Sequence, residues 1–117
     1  MHRRRLGLSA AALLAAPAIA RAHHGWGSYD AQNPRTLTGP IRAANFANPH
    51  VHVDVMAGGE MWELTLAPPF RMQARGAERE LLAVGKPITA YGYPSRERAR
   101  ELRAEWVELD GRRFQLR

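Results

Sequence analysis

The chain has 117 residues and no cysteine, a length that suits one domain burying its core without covalent staples. Disulfides, thiolate metal sites, cysteine nucleophiles and a lipidated N-terminal cysteine are excluded together. The formal charge of +6 invites a nucleic-acid or membrane reading, but Arg3, Arg4, Arg5 and Arg21 all fall in the first 22 residues. Without those four, the 17 basic residues become 13 against 11 acids, an ordinary mixed surface that predicts no nucleic-acid partner.

Residues 1–22 fit the three-part plan of a secretory signal: a basic start from His2 to Arg5, an apolar run from Leu6 to Ile19, and Ala20-Arg21-Ala22 as a small-x-small cleavage site. A run of about 14 residues falls short of the roughly 20 needed to span a bilayer, so no stable membrane anchor is expected after cleavage. The Arg3-Arg4-Arg5-Leu6 stretch also resembles a twin-arginine start, which leaves both export routes open. Either route gives a periplasmic or secreted protein whose first residue is His23.

A lead-in over residues 23–36 is rich in Gly, Ser, Asn and Pro and shows no apolar period. Its aromatics, Trp26 and Tyr29, are expected to pin it to the domain that follows at 37–117. Leu37 to Phe46 reads as a first strand interrupted at Gly39-Pro40, and Asn48-Pro49 as a turn. From His50 to Met56 the pattern alternates, with Val51, Val53 and Val55 on one face and His50, His52 and Asp54 on the other. Gly58-Gly59 marks a hairpin, and Met61 to Ala67 a strand with Trp62, Leu64 and Leu66 on one side. After Pro68-Pro69, Phe70 to Leu82 reads as a helical connection broken at Gly76.

Ile88 to Tyr93 is the next strand, and Pro94 to Arg100 a charged loop overlapping the mixed-charge run Arg96 to Arg103, read as a solvated surface. In Leu102 to Leu109 the neighbours Trp106 and Val107 break the alternation, which predicts a bulge. Asp110-Gly111 is a tight turn before a last strand, Arg113 to Leu116. Trp62, Trp106 and Phe114 are expected in the core, while Tyr91 and Tyr93 share a strand face. Five or six short strands with one short helical connection predict a mainly β fold, a small OB-like barrel preceded by a signal peptide, with a sandwich as the alternative.

These residues carry a resemblance. The start His23-His24-Gly25-Trp26 with Tyr29-Asp30, then Leu37-Thr38-Gly39, Asn48-Pro49-His50, Trp62-Glu63-Leu64, Gly85 before a strand and Leu109-Asp110-Gly111 resemble the DUF6152 family of small exported bacterial proteins. The resemblance covers the mature chain and implies no particular activity. Gly25 and Ala47 stand where the family usually carries serine and an aromatic residue, so no role is expected of those side chains.

All histidines after residue 22 lie in two clusters, His23-His24 and His50-Val51-His52. A free α-amine beside an imidazole is a chelating pair, so a mature His23 could hold a metal through its amine and Nδ1, in the manner of a histidine brace. His24, His50 and His52 would complete the set, with Asp54 as a further ligand or as the acceptor that fixes a tautomer. Nitrogen donors without thiolate suit copper(II) best, with zinc or nickel also possible. The plainer account is that outward histidines on a strand are simply polar surface.

No Ser-His-Asp pattern, phosphate-cradling loop or paired carboxylates argue for an enzyme. The alternative to metal binding is a non-enzymatic module whose open face and aromatics, Trp26, Tyr91 and Tyr93, engage a periplasmic protein partner or a small ligand.

Overall fold

The protein, seen in a computed structural model that describes residues 25–117, is a closed five-stranded barrel with one added strand. The signal-peptide reading of residues 1–22 and the donors His23 and His24 lie outside the described residues. After a 3-10 turn at Trp26–Ser28 come β1 (Arg35–Asn45), β2 (His52–Ala57), β3 (Glu60–Thr65), α1 (Pro69–Ala74), a second 3-10 turn (Arg79–Leu82), β4 (Pro87–Pro94), β5 (Glu101–Leu109) and β6 (Arg112–Gln115). The strand order is β3-β2-β1-β4-β5-β6, and a parallel pairing of β3 with β5 closes the barrel. This is the OB-like arrangement expected, with α1 between the third and fourth strands. No described helix is long and apolar enough to cross a membrane.

Closure depends on β1 and β5, each of which serves more than one neighbour. The first half of β1, Arg35 to Pro40, pairs with β4, and the second, from Ile41, pairs with β2. The change of partner happens just after Gly39-Pro40, so the expected interruption is instead part of one continuous strand, whose register shifts between Ile41 and Ala43. At Gly39 an added Cβ would stand 1.9 Å from the Met56 carbonyl oxygen, so only glycine permits the approach. Strand β5 pairs with β3 at Glu101–Arg103 and with β6 from Trp106 onward, so β6 covers the edge that the parallel seam leaves open.

The interior follows the predicted alternation. Val51, Val53 and Val55 are fully buried and meet Trp62, Leu64, Leu66, Ile88, Leu102 and Val107. Each such side chain contributes about 1.5–3 kcal/mol relative to exposure. The expected bulge is present: Tyr91 faces Trp106 but Gly92 faces Ala104, which leaves Glu105 as the extra residue of β5. A Cβ on Gly92 would sit 2.0 Å from the Arg103 oxygen.

The bulge also corrects one expectation. Trp62 and Phe114 are core residues, but Trp106 is only half-buried and lies on the outer surface. The extra residue shifts the parity of the strand, so Val107 and Leu109 take the inward positions. Outside, Trp106 stacks on Tyr91 at 5.5 Å between centroids and carries Arg113 over its ring at 3.7 Å.

Candidate functional site

Two polar residues of the described chain are buried, Thr65 and Glu101. Both lie on the β3–β5 seam, where Thr65 pairs with Arg103 and Glu63 with Glu101. By alternation with Leu64 and Leu102 they point outward, so barrel packing does not bury them. The lead-in does. Its backbone joins β4 and the following loop through Asp30 N–H to the Pro94 oxygen and Arg96 N–H to the Ser28 oxygen. Tyr29 donates its hydroxyl to Glu101 Oε2 at 2.6 Å, and Trp26 lies beneath the Arg103 guanidinium at 4.3 Å and against Tyr93 at 6.1 Å. The expected pinning role of Trp26 and Tyr29 thus has a concrete form.

Beside this cover opens a cavity of about 350 Å³ lined by residues including Gly25, Tyr29, His50, His52, Thr65, Glu101 and Arg103. The two strand histidines reach it by different routes. His52 opens β2 and pairs with Thr65 across the β2–β3 ladder. His50 stands just before the strand, after the cis Asn48–Pro49 bond. Next to it, Val51 is held by Val51 N–H to the Ala67 oxygen and Leu66 N–H to the Val51 oxygen. The sequence therefore placed His50 and His52 correctly on one side, and the fold turns both to one opening.

The cavity wall is a chain of polar contacts. Glu101 Oε2 accepts from Tyr29 and from Thr65, the latter at 2.8 Å, while Arg98 approaches Glu101 Oε1 at 3.7 Å. Thr65 Oγ1 also meets His52 Nδ1 at 3.4 Å, and Glu63 Oε2 lies 3.4 Å from that same nitrogen. Arg98 binds the other Glu63 oxygen at 2.8 Å. Arg103 Nη2 contacts His50 Nε2 at 3.3 Å, and its Nε is buried with no partner among the described residues.

Burial, followed by the Glu101 carboxylate, pushes the Tyr29 phenol up to about 12, which keeps it a donor. Burial, and after it the Arg103 charge, holds His50 below the usual imidazole range and so favours its neutral form.

Asp54 is not on this opening. It lines a second cavity of about 160 Å³ with His52, Glu63 and Asn45. Nor do three His, Asp or Glu side chains converge as a metal-binding group among the described residues. Tyr91 and Tyr93 do share a face, with ring centroids 6.0 Å apart.

Sequence reasoning missed Thr65, Glu101 and Arg103. The last two sit in a mixed-charge run read as solvated surface, and their spacing of two was the available signal. On a strand it sends both to one face.

The model of the family of unknown function DUF6152 matches residues 11–103. The chain belongs to DUF6152. Both histidine clusters and the seam residues Thr65, Glu101 and Arg103 of this DUF6152 protein fall within the matched span. No curated protein matches the chain.

Among solved structures, the barrel is similar to part of TiaS in its complex with tRNA and ATP, with a TM-score of 0.53 and 17% identity over 69% of this chain and 19% of that one. Apo TiaS, a tRNA agmatidine synthetase, gives 0.51 and 17% over 68% and 18%. A ZRD-deleted TiaS mutant in complex with agmatine gives 0.51 and 17% over 75% and 25%. The DUF6152 chain spans a quarter or less of those proteins, and at this identity the likeness is one of fold.

Proposed function

We propose that this DUF6152 protein is an exported, non-enzymatic metal-binding protein of the periplasm or exterior. It takes copper(II), with zinc or nickel as possible alternatives, through the mature N-terminal His23, His24 and the pair His50 and His52. One observation carries the reading: His50 and His52 line a single cavity whose rim includes Gly25, the residue bonded to His24. His24 and His23 follow one and two peptide links from Gly25 along the chain, and Cα atoms are 3.8 Å apart across each link. Asp54, on the neighbouring cavity, is left out of the ligand set.

Mass analysis of the exported protein tests the leader, and His23 as first residue is the expected result. Titration of that same form should give about one copper(II) per chain, with affinity falling steeply below about pH 6 as imidazole and amine take up protons. One extra residue before His23 should weaken binding strongly. Failure to bind copper or zinc at micromolar concentration would end the reading.

A second reading is favoured by the outer run Trp26, Tyr93, Tyr91 and Trp106, each ring in contact with the next. That surface could engage a periplasmic protein partner or a small ligand. Capture of a partner that ignores chelators and histidine substitutions, but is lost in Tyr91→Ala, would favour it.

A further inference from the structure

The two cavity histidines differ in whether the Nε2 lone pair is free. Thr65 has one hydroxyl hydrogen, and it goes to Glu101 Oε2 at 2.8 Å. The 3.4 Å contact between Thr65 Oγ1 and His52 Nδ1 then has a single workable polarity, with Nδ1–H as donor. Glu63 Oε2, a carboxylate oxygen that only accepts, lies 3.4 Å from the same nitrogen. In the neutral ring the one hydrogen therefore sits on Nδ1, and Nε2 keeps a bare lone pair. No hydrogen-bond partner meets that Nε2 among the described residues.

In His50 the lone pair is on the same nitrogen but is already taken. A guanidinium only donates, so Arg103 Nη2, at 3.3 Å, takes up the lone pair of His50 Nε2. Arg103 is itself held by the Trp26 ring at 4.3 Å and the Tyr29 ring at 5.7 Å. Both rings belong to the lead-in that continues from His23 and His24. Freeing His50 thus means moving a cation that the lead-in clamps.

We propose that His52 is the pre-set metal donor of the strand pair, entering through Nε2, with Thr65 and Glu63 as its positioning residues and Glu101 acting through Thr65. His50 ligates only once Arg103 is displaced. The proposal rests on the metal reading above, but its first test needs no metal. Two-bond proton–nitrogen correlation spectra of the metal-free mature protein, at mildly alkaline pH, report which ring nitrogen carries hydrogen. His52 should show its hydrogen on Nδ1, and Thr65→Val should mix the two tautomers while Thr65→Ser restores the original one. A wild-type His52 protonated on Nε2 overturns the proposal whatever the protein binds.

Copper titration supplies the second test. His52→Ala should lower affinity ~100-fold and His50→Ala far less, while Thr65→Val should cost ~10-fold, the scale on which partners of metal-bound histidines act. Thr65→Ser should recover most of that loss. Equal losses for His50→Ala and His52→Ala overturn this assignment and leave metal binding standing. No binding at all by the wild-type protein removes the metal reading and this proposal with it.

Discussion

The inward and outward rows of β2 lie on one strand and obey different rules. Val53 and Val55, with Val51 just before the strand, are fully buried and need only an apolar interior, which any well-packed barrel supplies. His52 and Asp54 are half-buried, and their chemistry comes from other strands. Thr65 and Glu63 of β3 meet His52, while Asp54 faces the second cavity. The inward row is therefore about amount, and the outward row about partners.

That contrast can be broken most violently from the inside. Val53→Asp should abolish folding, because an isolated carboxylate in the core has no compensating partner; loss of the far-ultraviolet β signal checks it. Leu64→Ala, across the ladder from Val53, should cost about 2–5 kcal/mol in urea unfolding, since the barrel cannot close around the vacancy. Tyr29→Phe should cost less, about 1.5 kcal/mol, the scale of one hydrogen bond to a charged acceptor. It should also raise hydrogen exchange at Asp30 and Arg96, whose amides tie the lead-in down.

On the outward row, His52→Ala should change stability by about 0.5 kcal/mol or less, with its main effect on metal titration. The smallest effect is in pH dependence. His50 has its pKa lowered in the folded state, so as pH falls below the unfolded value of about 6.5 the unfolded chain binds the proton more readily and stability declines. His50→Gln should flatten that decline in urea midpoints measured between pH 7 and 5. Tyr29 acts at the other end: its raised pKa means stability lost as pH climbs from about 10 towards about 12.

Much of the frame was legible along the chain because strand burial has a period of two. The valine alternation, the Gly58-Gly59 and Asp110-Gly111 turns and the broken helical stretch all report on residues close in sequence. The bulge near Trp106 was legible too, although its consequence was not. Parity shifts at Glu105, so Trp106 leaves the core and joins the Tyr91 stack. The Gly39-Pro40 step looked like a break and is instead where one continuous strand passes from β4 to β2.

The candidate site was legible in part. His50 and His52 declare themselves by type and spacing. Thr65, Glu101 and Arg103 look like ordinary polar residues, and only the parallel β3–β5 seam brings them together. Their burial comes from a lead-in that itself lacks a regular period.

The sequence by itself determined the barrel's inside and the two histidine clusters, since hydrophobic periodicity and side-chain chemistry are local properties. The tautomer of each histidine, and whether its Nε2 lone pair stays free, were decided by the tertiary structure alone. A tautomer depends on donors and acceptors within about 3.5 Å, and the residues that supply them to His50 and His52 lie 11 to 53 positions away along the chain.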